Sequence, residues 1–212
     1  MDRNIFDRPV YALHGIPVDA ISTGETCKKL LESIRTKSPC FFTTPNLNFL
    51  VACQTDAEFR NSVIDSDLIV ADGMPLVRIA RLLGIPLPER VAGSTVFENL
   101  RRTLHSPRLS VFFFGGPAGI AEKANEVLNQ EYLGMNGSGA IYPGFGNLND
   151  MLAPTMLTSI NECQPDMLVV ALGAKRGQAW IQAAKSQLNA TVITHLGAVV
   201  NFVAGSVARA PV

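Results

Sequence analysis

The 212-residue sequence lacks several patterns that would place it in a protein class at once. No apolar run reaches the roughly 18 residues of a membrane-spanning helix, and no internal repeat or low-complexity tract is present. The four cysteines (Cys27, Cys40, Cys53 and Cys163) have neither CxxC nor metal-ligand spacing, which favours free thiols in a reducing compartment. The N-terminal residues include acidic side chains and no long apolar region, so we expect no signal peptide and a cytoplasmic protein.

Charge is also scarce. Lys and Arg number 18, Asp and Glu number 18, and the formal net charge is 0. The absence of a basic excess argues against nucleic acid as a partner. A weakly charged surface gives little repulsion between copies, so we expect a homo-oligomer. The length fits one α/β domain over residues 1–212, with a soft division near residue 107 between an acceptor half and a nucleotide half.

Common nucleotide and metal fingerprints are missing or misplaced. The segment Gly115-Gly116-Pro117-Ala118-Gly119 is neither GxGxxG nor a P-loop, which excludes a typical NAD-dependent oxidoreductase. Asp65-Ser66-Asp67 has the DxD form of a metal-binding motif. We expect it at the start of a strand and interpret it as charged residues at the point where the chain enters the sheet. No metal or other cofactor is predicted.

Short apolar runs alternate with helical patterns along the chain. They predict strands at residues 10–13, 40–43, 63–71, 109–114, 140–142, 167–172 and 191–194, with a turn at 15–19. Strands that alternate with helices indicate an α/β fold with a mainly parallel sheet flanked by helices. The spacing also leaves room for a smaller second sheet.

The most informative polar groups follow two of these strands. One apolar run ends in Asp72-Gly73, and another leads into Thr44 and Asn46. Open α/β sheets bind their ligands at such strand ends. We interpret Asp72 as a general base that takes the proton from an attacking hydroxyl, with a helix cap as the alternative. Arg90 could pair with Asp72 or with a phosphate, or lie exposed.

Two turns after later strands are candidates for holding a diphosphate. Gly115-Gly116 opens a helix, where backbone N–H groups can approach an anion; a tight turn without a ligand is the alternative. In the turn at Gly173, Lys175 could neutralise a phosphate or remain a solvated residue of the first helical turn. Gln178 can donate and accept, as recognition of a sugar or a base requires.

His195 ends the last predicted strand and is followed closely by Gly197. It therefore lies at the same sheet edge as Asp72. We include His195 and Gly197, together with Gly73 next to Asp72, among the substrate-binding candidates. A structural histidine is the alternative.

These segments in series resemble the WecG/TagA/CpsF family, glycosyltransferase family 26. The similarity is carried by TTPNLNFLVACQTDAEF, SDLIVADGMPLV, LPERVAGSTVFENL, VFFFGGPAGIAEKA, PDMLVVALGAKRGQAWI and HLGAVVNFVAGSVARAP. The resemblance implies a Rossmann-like, inverting enzyme that transfers a sugar from a UDP-sugar to a polyprenyl-diphosphate-linked sugar. It would act at the inner face of the cell membrane.

The family pattern also implies roles for individual residues. Asp72 matches the proposed catalytic base, Thr44 and Asn46 match polar residues that line the pocket, and Arg90 matches a functional arginine. Because the usual metal-binding DxD is missing, the resemblance implies transfer that does not depend on a divalent ion at that motif.

One departure from the family pattern concerns the turn at 175–178. Most members carry Pro-Lys-Gln-Glu there, so the family's glutamine falls on Gly177 and Gln178 becomes the candidate for its role. This turn together with HLGAVVNF is most similar to the GumM-like, xanthan-type branch. That branch implies β-1,4 transfer of glucose from UDP-glucose in exopolysaccharide biosynthesis. The alternatives are a UDP-N-acetylmannosamine transferase of teichoic acid or common antigen type, and an inactive nucleotide-binding protein.

The other departure is the ending. Family members continue past the Arg-Ala-Pro motif with a basic, helical appendage that docks on the membrane and covers the active site, whereas this sequence stops at Val212. The resemblance therefore implies weaker peripheral membrane contact for this version of the protein.

Overall fold

The computed structural model describes residues 8–208. In chain order the strands are β1 (Val10–Leu13), β2 (Ile16–Asp19), β3 (Cys40–Thr43), β4 (Leu68–Ile69), β5 (Leu109–Gly115), β6 (Met135–Ile141), β7 (Met167–Ala171) and β8 (Val192–His195). The helices are α1 (Thr23–Thr36), α2 (Leu47–Thr55), α3 (Ala57–Ile64), α4 (Met74–Leu82), α5 (Gly93–Arg102), α6 (Ile120–Gln130), α7 (Leu148–Met151), α8 (Pro154–Glu162), α9 (Ala174–Ala184) and α10 (Gly197–Val203).

Six strands form one parallel sheet in the order β4-β3-β8-β7-β5-β6. The first two strands pair antiparallel in a separate sheet. This arrangement confirms the predicted α/β, Rossmann-like fold with a smaller second sheet. Strand β8, from the last third of the chain, lies between β3 and β7, so the sheet joins segments from both sides of residue 107.

Both faces of the large sheet are covered by helices, which explains why its strands are apolar without interruption. Successive side chains point to opposite faces of a strand. In β5, Phe113 packs in a cluster with residues of α1, α5, α6 and α10, whereas Phe114 packs in another cluster with residues of α8 and α9. Phe114 stacks on Trp180, with ring centroids 4.4 Å apart. The Trp180 Nε1–H donates to the Met151 carbonyl at 2.8 Å, so this large side chain is buried with its polar group satisfied.

Two local predictions are wrong. The segment predicted as a strand over 63–71 begins as the end of α3, and only Leu68–Ile69 is a strand. Asp56 starts α3 by accepting a hydrogen bond from the Phe59 N–H at 2.9 Å, and the helix then buries Val63 on its inner face.

The predicted turn at 15–19 is also wrong, because Ile16–Asp19 is strand β2. His14 and Gly15 alone form the turn, with φ values of 50° and 76°. Two residues of positive φ are typical of the tightest hairpins. The predicted strand at 140–142 is confirmed as part of the longer β6, Met135–Ile141.

We expect Gly115→Ala to lower the free energy of unfolding by about 2 kcal/mol or more. Gly115 has φ +100°, and a Cβ atom there would lie 2.7 Å from the Ala171 carbonyl oxygen. Gly24→Ala is the matched control, since a Cβ at that helical position meets nothing within 4 Å. It should leave stability unchanged or raise it by up to ~1 kcal/mol. Urea unfolding measures both, and wild-type stability of Gly115→Ala would contradict the close approach of β5 and β7.

Candidate active site

Thr44, Asn46 and Asp72 lie at one edge of the sheet because their strands are parallel neighbours. Thr43 of β3 is in register with Ile69 of β4, so the residues that follow leave the sheet at the same edge. The Asp72 N–H donates to the Pro45 carbonyl at 2.9 Å, which fixes the two strand ends to each other. Asn46 also begins α2, since its Oδ1 accepts a hydrogen bond from the Phe49 N–H at 3.2 Å.

The Asp72 carboxylate does not cap the helix that follows it. The N-cap residue of α4 is Gly73, with φ 108°, and no side chain forms a capping hydrogen bond to this helix. The alternative prediction that Asp72 is a helix cap is therefore wrong. The carboxylate instead accepts a hydrogen bond from the backbone N–H of Gly93. Burial raises the pKa of Asp72, while Arg90 and the Gly93 N–H act in the opposite direction.

Arg90 is held beside Asp72 by the loop that carries it. The Val91 N–H donates to the Ala71 carbonyl at 3.0 Å, so the loop pairs with the end of β4. The Arg90 Nε then lies 3.8 Å from Asp72 Oδ1, with 40% of the arginine side chain exposed. The predicted pairing of these residues is therefore present, as a loose and partly solvated ion pair.

A cleft of about 280 Å³ opens above the ends of β3, β4 and β8. Five predicted site residues line it, namely Thr44, Asn46, Asp72, His195 and Gly197. Arg90 joins this set through its ion pair with Asp72. The cleft thus holds a carboxylate, a hydroxyl, an amide and an imidazole, a set that suits binding of a sugar and transfer of a proton.

His195 is neutral in this cleft, because burial lowers the pKa of its imidazole to about 4. The ring lies against Gly177, where a Cβ atom would be 2.2 Å from the His195 Cδ2. Within residues 8–208 the His195 Nε2 is buried and has no hydrogen-bond partner. His195 is consequently suited to hydrogen bonding and unsuited to acting as a cation near neutral pH.

Gln178 and Lys175 lie away from this cleft. Gln178 is fully buried, and its Nε2 donates to the Thr43 Oγ1 at 2.6 Å, which holds α9 against β3. The Lys175 Nζ is 2.8 Å from Asp56 Oδ2 and lines a separate cavity of about 610 Å³ beside α3 and α9. Contact between either side chain and a substrate remains a prediction.

The predicted diphosphate turns lie at the carboxyl ends of β5 and β7. The chain leaves β5 toward β6 on one side and leaves β7 toward β8 on the other, so the crevice between β5 and β7 is a topological switch point. Such crevices are the usual ligand sites of open α/β sheets. Gly115, Gly116 and Gly173 form the two turns, with φ values of 100°, 85° and 80°.

Two glycines important for the cleft were missed as site residues by the sequence-based interpretation. Gly93 donates its N–H to Asp72, and a Cβ atom there would be 2.2 Å from the Leu196 Cδ2. Gly177 leaves the space that the His195 ring fills. Neither glycine has a signal in the sequence, because Gly93 meets Leu196 and Gly177 meets His195 only through the fold.

Comparison with known proteins gives the following similarities. A family model described as "Glycosyl transferase WecG/TagA/CpsF family" matches residues 11–212. Two relatives, from Staphylococcus aureus strains NCTC 8325 / PS 47 and MRSA252, are both named N-acetylglucosaminyldiphosphoundecaprenol N-acetyl-beta-D-mannosaminyltransferase. They are 27% and 26% identical over 192 residues, which cover 88% of this chain and 74% of each relative. In the part of the chain between residues 8 and 208, no helix is long and apolar enough to cross a membrane.

The buried imidazole predicts a specific loss of stability in acid. The unfolded chain protonates His195 below its ordinary pKa of 6.5, whereas the folded chain resists protonation down to about 4. Stability should therefore fall as the pH drops from 6.5 to 4, and be unaffected by this group above 6.5. We expect His195→Gln to remove on the order of 2 to 3 kcal/mol of the loss between pH 7 and pH 4.5.

Urea unfolding at the two pH values measures this difference. The control His14→Gln removes an exposed histidine from the β1–β2 turn and should keep the wild-type dependence. An equal loss in wild type and His195→Gln would contradict a buried, neutral imidazole.

Proposed function

The chain belongs to the WecG/TagA/CpsF family of glycosyl transferases, and we propose that it transfers N-acetylmannosamine from UDP-N-acetylmannosamine to a polyprenyl-diphosphate-linked N-acetylglucosamine. The observation that carries the proposal is the Asp72 carboxylate, which lies in the cleft with Thr44, Asn46 and Arg90. The two relatives support the choice of sugars, because their names specify this acceptor and this transferred group.

The donor sugar differs from the one that the sequence-based interpretation preferred. That preference, UDP-glucose in a GumM-like enzyme, rests on the turn at 175–178 and on HLGAVVNF. The relatives favour the alternative with N-acetylmannosamine. UDP-glucose remains the second candidate donor, and it rests on the resemblance of those two segments alone.

In the proposed reaction Asp72 acts as the base. A hydroxyl of the acceptor sugar attacks the anomeric carbon of the donor, and the Asp72 carboxylate takes the hydroxyl proton. The bond between the anomeric carbon and the diphosphate oxygen breaks, and its electron pair leaves with UDP. Burial of Asp72 favours this role, since a carboxylate of raised pKa is a stronger base.

The neighbouring side chains would orient the two sugars. The Thr44 hydroxyl and the Asn46 amide offer hydrogen bonds to sugar hydroxyls within the same cleft. The neutral imidazole of His195 can add another such bond. The Arg90 guanidinium favours the ionised form of Asp72 and can also face a phosphate.

The diphosphate would lie on the glycine turns at the ends of β5 and β7. Gly115, Gly116 and Gly173 let a phosphate approach backbone N–H groups without a side chain in the way. Helix α9 starts next to Gly173, and its first residue, Ala174, lines the cleft. The positive end of that helix supports an anion there. Lys175 would have to exchange its pairing with Asp56 for the phosphate.

We expect Asp72→Asn to lower turnover by ~10²-fold or more while UDP binding survives, since the amide cannot take a proton. The assay supplies polyprenyl-diphosphate-N-acetylglucosamine with either UDP-N-acetylmannosamine or UDP-glucose. The control Asp150→Asn changes an exposed carboxylate in α7 and should keep full turnover.

Each outcome of this assay has a distinct meaning. Transfer by the wild type from UDP-glucose alone would replace the proposed donor with the second candidate. Transfer from neither donor would favour a nucleotide-binding protein without activity. Wild-type turnover in Asp72→Asn would remove Asp72 from the mechanism.

The pH profile should respond to Arg90. Its positive charge lowers the pKa of Asp72, so Arg90→Gln should raise that pKa. The base works deprotonated, and therefore the acidic limb of kcat/KM should move to higher pH in Arg90→Gln. Arg35→Gln, which removes an exposed ion pair with Glu32, is the control. An acidic limb that stays in place or moves to lower pH would contradict the assigned pairing.

A further inference from the structure

Helix α4 begins directly after Asp72-Gly73 and exposes a face that is both apolar and basic. Met74, Arg78, Arg81 and Leu82 are spaced i, i+4, i+7 and i+8, which places them on one side of the helix. The opposite side, with Leu76, Val77 and Ala80, is buried in the core. We call the side of Met74, Arg78, Arg81 and Leu82, together with Leu83 at the helix end, the α4 outer face.

The apolar side chains of the α4 outer face are well exposed. Leu82 and Leu83 are 88% and 60% exposed, and Met74 is 42% exposed. A single exposed leucine needs no explanation. Two adjacent leucines and a methionine on a helix that starts at the candidate active site form a surface suited to binding.

The arginines of this face have no acidic partner. Arg78 and Arg81 are exposed, and neither makes an ion pair or a hydrogen bond within the described residues 8–208. Elsewhere, exposed arginines such as Arg35 and Arg102 pair with a glutamate on their own helix. Between residues 74 and 90 the sole acidic residue is Glu89, whose carboxylate accepts a hydrogen bond from the Thr23 N–H.

We propose that the α4 outer face docks on an anionic lipid surface. Helices that lie in the membrane interface combine basic side chains, which meet lipid phosphates, with apolar ones that enter the headgroup boundary. Arg78 and Arg81 supply the first group, and Met74, Leu82 and Leu83 supply the second. Long arginine side chains can reach the phosphates while their apolar neighbours are buried.

This inference rests on the proposed function, because a polyprenyl-linked acceptor carries its diphosphate at the membrane surface. Asp72 precedes α4 by two residues, so the carboxylate lies next to the first turn of the docking helix. Helix α2 also starts at the cleft, after Asn46, and exposes Leu47 and Val51.

A second copy of the chain fits this face less well than lipid does. A two-fold contact through the α4 outer face would bring the arginines of both copies together. The face offers no carboxylate to offset them. Lipid phosphate supplies the missing negative charge.

Co-sedimentation with lipid vesicles tests the proposal without any transfer reaction. Wild-type protein should bind vesicles that contain phosphatidylglycerol more tightly than vesicles of phosphatidylcholine alone. Arg78→Glu with Arg81→Glu should weaken binding to the anionic vesicles about tenfold or more. Leu82→Ser with Leu83→Ser should weaken it as well. The control, Leu104→Ser with Tyr132→Ser, alters residues that are 76% and 93% exposed elsewhere and should bind like wild type.

Three outcomes would overturn the proposal: no preference for anionic vesicles, equal binding by the α4 variants, or equal weakening by the control. Size-exclusion chromatography adds another. If the Leu82 and Leu83 substitutions dissociate an oligomer and leave vesicle binding intact, the face joins copies of the chain.

Transfer to a short-chain, water-soluble acceptor should be normal in the α4 variants. If the wild type transfers no sugar to this acceptor, the proposed function is refuted, whatever the result of the vesicle experiment.

Discussion

Parallel pairing of β3 with β4 on one side and with β8 on the other determines where this protein can do chemistry. The three strand ends bring Asn46, Asp72 and His195 to one cleft although the chain separates them widely. The hydrogen bond from the Asp72 N–H to the Pro45 carbonyl fixes the carboxylate relative to Thr44 and Asn46. A change in the register of β3 and β4 would therefore separate the proposed base from the groups that would hold its sugar.

Glycine sets the inner dimensions of this cleft. At Gly93 a side chain would collide with Leu196, and at Gly177 it would collide with the His195 ring. The first glycine lets helix α5 offer its N–H to Asp72, and the second lets a neutral imidazole fill the position beside α9. The geometry of the cleft therefore depends on the absence of a side chain at both places.

The sequence was sufficient for the fold class and for the location of Asp72, because both depend on short-range patterns. Buried strands appear in the sequence as apolar runs. A carboxylate directly after such a run must lie at the edge of the sheet where the strands end. Gln178 could not be placed this way, since its burial depends on contact with Thr43, 135 residues away. The ion pair of Lys175 could not be predicted for the same reason, since its partner Asp56 becomes its neighbour only when α3 packs against α9.

A crystal structure of the protein with UDP-N-acetylmannosamine bound tests the central claim most directly, since it locates the donor relative to Asp72. We predict that the diphosphate lies on the turns of Gly115, Gly116 and Gly173, and that the anomeric carbon faces the Asp72 cleft. A donor bound instead in the cavity beside Lys175 and Asp56, with the Asp72 cleft empty, would contradict the account.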